Sequence, residues 1–128
     1  MASTEFLNID LDLESRDDLS LIIQEFGDSV IIMNNENDGS VHKVSFELAG
    51  LEGNPDYLFN QYFSLIRKLS ARAKSLWYGC LKREFDLGFE TGSEPKGLQE
   101  KLSDTAIGEL SNLKASVVIT IYSLPAED

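Results

Sequence analysis

Acidic side chains recur at every second position in two separate segments of this chain. Asp10, Asp12 and Glu14 alternate with Ile9, Leu11 and Leu13, and Glu84, Asp86 and Glu90 alternate with Phe85, Leu87 and Phe89. Glu47 follows the same rhythm between Phe46 and Leu48. Side chains of a strand point alternately to opposite faces, so each segment presents one apolar and one acidic row. Two chemistries suit such rows. One is an electrostatic dock for a basic protein, whose encounter a concentrated negative field accelerates. The other is a divalent-cation site, because hard cations take oxygen ligands; yet residues two apart on a strand stand about 7 Å apart, and no motif completes the ligand sphere. A third reading is a solvated sheet face without a partner.

Other reactive residues form weaker patterns. Asn34, Glu36, Asp38 and Gly39 imitate the start of a calcium loop, but Ser45 stands where the bidentate glutamate is required, so the segment reads as a hairpin turn. Nucleophilic catalysis would need Cys80 or a serine with His42, the one histidine. Lys82 and Arg83 follow Cys80 and would favour its thiolate, but the preceding helix end opposes it, and a structural thiol is the simpler reading. His42 reads as an exposed strand residue beside the turn. The nine glycines are scattered singly, with neither standard phosphate-loop spacing. No catalytic residues, no metal and no cofactor are therefore expected.

Composition narrows the classes further. With 22 acidic against 11 basic residues the formal charge is -11, which disfavours nucleic acid and anionic membranes as partners. Arg67, Lys68, Arg72, Lys74, Lys82 and Arg83 cluster, but four of them fit the soluble face of a helix. A single cysteine excludes an internal disulfide. The first ten residues lack the basic start and apolar stretch of a leader, and no run is long enough to span a membrane, so a cytoplasmic location is expected. At 128 residues and 42% apolar content the chain is expected to fold as a single domain over residues 1–128.

The elements that must position these residues are read from periodicity. Phe6 to Glu14 reads as a strand with Leu7, Ile9, Leu11 and Leu13 inward; Ser15, with Asp17 and Asp18, reads as the start of a helix carrying Leu19, Ile22, Ile23 and Phe26 and closed by Gly27. Ser29 to Met33 and Val41 to Leu48 form a hairpin around the Asn34 to Ser40 run. Asn54-Pro55 opens one long amphipathic helix to Tyr78, ended by Gly79. Leu81 to Glu90 is a strand, Thr91 to Leu102 a loop, and Ser103 the cap of a short helix with Ile107, Leu110 and Leu113. Ala115 to Tyr122, apolar on both faces, reads as an interior strand stopped at Leu124-Pro125. The expected architecture is α+β: a two-layer sandwich whose five-stranded, mostly antiparallel sheet carries helices on one face. It has a ferredoxin-like β-α-β-β-α-β core plus an extra α-β.

The C-terminal half carries a resemblance. Ser75-Leu76-Trp77, Arg83-Glu84-Phe85-Asp86-Leu87-Gly88-Phe89, Leu102-Ser103, Leu110, Lys114-Ala115-Ser116-Val117 and Ile119-Thr120-Ile121-Tyr122 resemble a widespread bacterial family of small α+β domains of unknown function. The resemblance implies a bacterial, immunity-protein-like role beside secreted toxins and carries over no catalytic residue. The N-terminal half lacks the family's Leu-Gly-x-x-Pro segment. Together these readings give a non-enzymatic interaction module, monomeric or weakly dimeric, binding a basic protein through Asp10, Asp12, Glu14, Glu47, Glu84, Asp86 and Glu90. The alternative is a small-molecule-binding or enzymatic domain with a pocket between the long helix and the sheet. Tyr57, Phe59, Tyr62, Trp77 and Tyr122 would wall that pocket.

Overall fold

Alternation, caps and turn residues resolve, in a computed structural model that describes residues 2–94 and 96–123, into five strands and four helices. The expected stop at Leu124-Pro125 lies outside the described residues. In chain order the elements are β1 (Glu5–Ser15), α1 (Ser20–Phe26), β2 (Val30–Asn37), β3 (His42–Leu48), α2 (Pro55–Arg67), α3 (Ala71–Tyr78), β4 (Lys82–Glu90), α4 (Asp104–Asn112) and β5 (Ser116–Tyr122). The sheet order is β2-β3-β1-β4-β5, antiparallel throughout except for the parallel β4–β5 pair. β1 is central beside β3, as in a ferredoxin-like sheet, and β5 extends the β4 side. The fold is the expected two-layer α+β sandwich.

The core lies between the sheet and the helices. Ile9, Leu11 and Leu13 of β1, Val44 and Phe46 of β3 and Phe85 and Leu87 of β4 meet Leu58, Phe59, Tyr62, Phe63 and Ile66 of α2. Phe85 sits at the centre, with edge-on contacts to the Phe59 and Tyr62 rings. The buried Tyr62 hydroxyl donates to the Ile9 carbonyl at 2.7 Å and approaches the Phe46 carbonyl at 3.3 Å, pinning α2 over the two central strands.

Several local expectations are corrected. Ser15 does not cap α1: it stays in β1, its Oγ accepts from the Asp17 N–H, and the helix starts at Ser20, whose N–H Asp18 accepts. The expected long helix is two. Ser70 adopts an extended backbone, its Oγ accepts from the Ala73 N–H, and its own N–H and hydroxyl both donate to the Glu25 carboxylate of α1. Periodicity runs across this break because Ile66, Leu69, Ala73 and Trp77 all line the same core.

The hairpin turn is shorter than expected. After a bulge between Ile32 and Asn34, β2 continues to Asn37, and the turn narrows to Asp38-Gly39-Ser40-Val41, with Gly39 at a positive φ of 87°. Leu7 is exposed, not inward, because a bulge between Phe6 and Asn8 turns it out and seats Phe6 against Phe89; β4 begins at Lys82, which leaves Leu81 exposed ahead of the strand. β5 is an edge strand, not an interior one, because the chain reaches it by a parallel crossover that adds it outside β4.

Candidate functional site: the acidic sheet face

On the face opposite the helices, register decides which carboxylates meet. Asp10 of β1 lies directly across from Glu47 of β3 on one side and from Asp86 of β4 on the other. Three carboxylates therefore stand abreast on neighbouring strands, where opposed Cβ atoms are about 5 Å apart. Two residues along, Asp12 is opposite Glu84 and Ser45. All five acidic side chains are half-buried and reach solvent.

Repulsion and burial show most at Asp10. Partial burial, then the charges of Glu47, Asp12 and Asp86, push its carboxyl from the ordinary 3.8 to about 6. Its Oδ1 is inaccessible and has no hydrogen-bond partner among the described residues. Asp86 is better placed, since Thr120 of β5 donates its hydroxyl to it at 2.7 Å. Because the folded chain holds the Asp10 proton more tightly than the unfolded chain, stability falls as pH rises from about 4 through about 6. Asp10→Asn is therefore expected to stabilise the protein by about 1 kcal/mol at pH 7.5, solvent screening keeping the figure small. Urea titrations at pH 4 and 7.5 check this: the gain should be absent at pH 4.

The remaining acidic residues behave differently. Glu14 stands between Lys43 and Lys82, at 3.9 and 3.4 Å, and Lys82 also reaches Glu84 at 3.6 Å. This end of the face is largely neutralised. Glu90 pairs with Glu5 at the other end of the sheet, separated from the Asp10 row by Asn8 and Gly88. The structure thus brings together Asp10, Asp12, Glu47, Glu84 and Asp86, balances Glu14, and leaves Glu90 apart. Thr120 and the two lysines escape sequence reasoning because their roles depend on strand order.

The other reactive residues have structural roles. His42 is buried, contrary to expectation: its Nδ1 accepts from the Leu19 N–H at 2.8 Å and its Nε2 meets Asn35 Oδ1 at 2.6 Å, an arrangement that places the ring proton on Nε2. Cys80 is buried, its Sγ donating to the Leu76 carbonyl, and burial pushes its thiol up to about 11 against the opposing charge of Arg83. Arg83 itself braces the end of α3, donating to the carbonyls of Trp77, Cys80 and Lys114. Asp38 Oδ1 accepts from the Ser40 and Val41 N–H groups and serves the turn. Among the described residues no three His, Cys, Asp or Glu side chains converge as metal ligands.

Of the five aromatics, Phe59, Tyr62 and Trp77 are fully buried in the core, while Tyr57 and Tyr122 are exposed. The shallow cleft between α2 and β3, lined by Ser29, Leu48, Gln61, Ser64 and Lys68, contains none of them. No described helix is long and apolar enough to cross a membrane. Compared with protein-family models, curated proteins and solved structures, the chain matches none.

Proposed function

We propose that the protein is a non-enzymatic interaction module of the immunity or regulatory kind, which receives a basic protein on its open acidic sheet face. The observation that carries this reading is the Glu47-Asp10-Asp86 row. Three adjacent strands place a carboxylate at the same level on the uncovered face, and no basic residue stands between them. Such a row costs stability in the free protein, because the charges of Glu47, Asp12 and Asp86 add to the effect of burial in holding the Asp10 carboxyl above its ordinary range. A basic partner relieves that cost on binding, so the same groups that weaken the fold strengthen the complex.

The test compares the wild-type chain with a variant carrying Asp10→Asn, Asp12→Asn, Glu84→Gln and Asp86→Asn. Basic proteins captured on the immobilised wild type are presented to both forms, and association rates are read at low and high salt. The expected result is association more than tenfold slower for the variant at low salt, the difference shrinking as salt screens the field. The variant should be at least as stable as the wild type, so loss of binding cannot be ascribed to unfolding. Equal association rates for the two forms would remove this face from consideration.

A further inference from the structure

β5 is an apolar edge with nothing paired to its outer side among the described residues. Its seven residues, Ser116 to Tyr122, include no charged side chain. Val117, Ile119 and Ile121 lie level with Phe85, Leu87 and Phe89 and so point to the helix side of the sheet. The helices do not cover them: Ile119 and Ile121 are each 64% exposed. The flank of α4 adds to this strip. Glu109 pairs with Arg67 of α2 on one side of α4, and Ile107, two residues away at about 100° per residue, is therefore on the opposite side and 56% exposed. The other edge, β2, also exposes Ile31, Ile32 and Met33, but it is bulged after Ile32 and ends in the polar run Asn34-Asn35-Glu36-Asn37.

We infer that β5 is a self-association edge, on which a second copy of this chain adds its own β5 antiparallel to build one continuous ten-stranded sheet. The sequence of the strand is matched to itself. With the twofold axis at Ile119, Ile119 faces its own copy, Val117 faces Ile121, Val118 faces Thr120 and Ser116 faces Tyr122. Aliphatic side chains thus meet aliphatic ones on the helix side.

Charge selects this occupant. A molecule of net charge -11 repels its copies, and only an uncharged edge lets two of them meet without opposed carboxylates. The nearest acidic strand, β4, would stand three strand spacings from its counterpart, about 14 Å, beyond the screening length of about 8 Å at physiological salt. A strongly basic partner gains nothing from a strip without charge.

The inference is independent of the acidic-face proposal, and salt separates the two. Dimerisation measured by sedimentation velocity over a concentration series is expected to tighten as NaCl rises to about 0.5 M, whereas docking of a basic protein weakens. Ile119→Lys should raise the dimer dissociation constant at least 30-fold with an unchanged far-UV circular dichroism spectrum, and Ile119→Val should stay within threefold. Ile119→Cys places two thiols within disulfide reach across the axis, so oxidised glutathione should convert it to a covalent dimer, whereas Met33→Cys on β2 stays monomeric. Wild-type chain that remains monomeric at millimolar concentration in high salt, a dimer indifferent to Ile119→Lys, or cross-linking at Met33→Cys instead would each overturn the inference.

Discussion

Trp77→Ala is expected to lower the free energy of unfolding by about 3–5 kcal/mol, the range for deleting a large buried aromatic. The indole is fully buried within the core, and its Nε1–H donates to the Leu113 carbonyl at the end of α4 at 3.0 Å. The substitution therefore opens a cavity and cuts the tie between α3 and α4. Against a total of about 5–15 kcal/mol for a domain of this kind, such a loss removes a large share of the stability. Trp77→Phe refills most of the cavity but not the hydrogen bond, and should cost only about 1–2 kcal/mol. Urea denaturation followed by circular dichroism reads both, since Trp77 is the one tryptophan and its fluorescence is lost with it. Equal effects of the two variants would show that the hydrogen bond, not the packing, carries the contribution.

His42→Leu should cost about 2–3 kcal/mol although the new side chain is apolar and of similar size. The imidazole is the acceptor for the backbone N–H of Leu19, the residue that precedes α1, and the partner of Asn35 on β2. Leucine leaves a buried donor without an acceptor and an amide without its neighbour. His42→Asn is the informative control: its side-chain oxygen can take the place of Nδ1, and it should recover about 1 kcal/mol of the loss. Chemical denaturation at neutral pH measures the series. A loss below about 0.5 kcal/mol for His42→Leu would show that Leu19 finds another acceptor.

Burial of this kind is only partly legible in the sequence. Periodicity makes the apolar face of β1, β3 and β4 legible, and Asn54-Pro55 and Ser103 identify two helix starts, each confirmed by a side chain accepting from a backbone N–H three residues on. It also makes the acidic rows legible as rows. Their convergence is another matter, since Glu47, Asp10 and Asp86 meet only because β1 lies between β3 and β4 in this register. Local pattern does not encode strand order. The same limit hides His42, whose partners lie on β2 and before α1, and the break at Ser70, which depends on Glu25 reaching over from another helix. β5 misleads for a related reason: an apolar strand is buried only if neighbours flank it, and composition alone does not supply them.

The parallel attachment of β5 has a consequence for how the chain is made. A parallel pair cannot close as a hairpin; it waits for the whole α4 crossover. As the polypeptide emerges from the ribosome, β1 to β4 are complete and able to pair while β4 still has a bare backbone margin. Ala106 and Leu110 of α4, with Leu113 at its end, are then still missing from the core that Phe85 and Leu87 share. This nascent stage, rather than the finished molecule, is when a chaperone has most to shield.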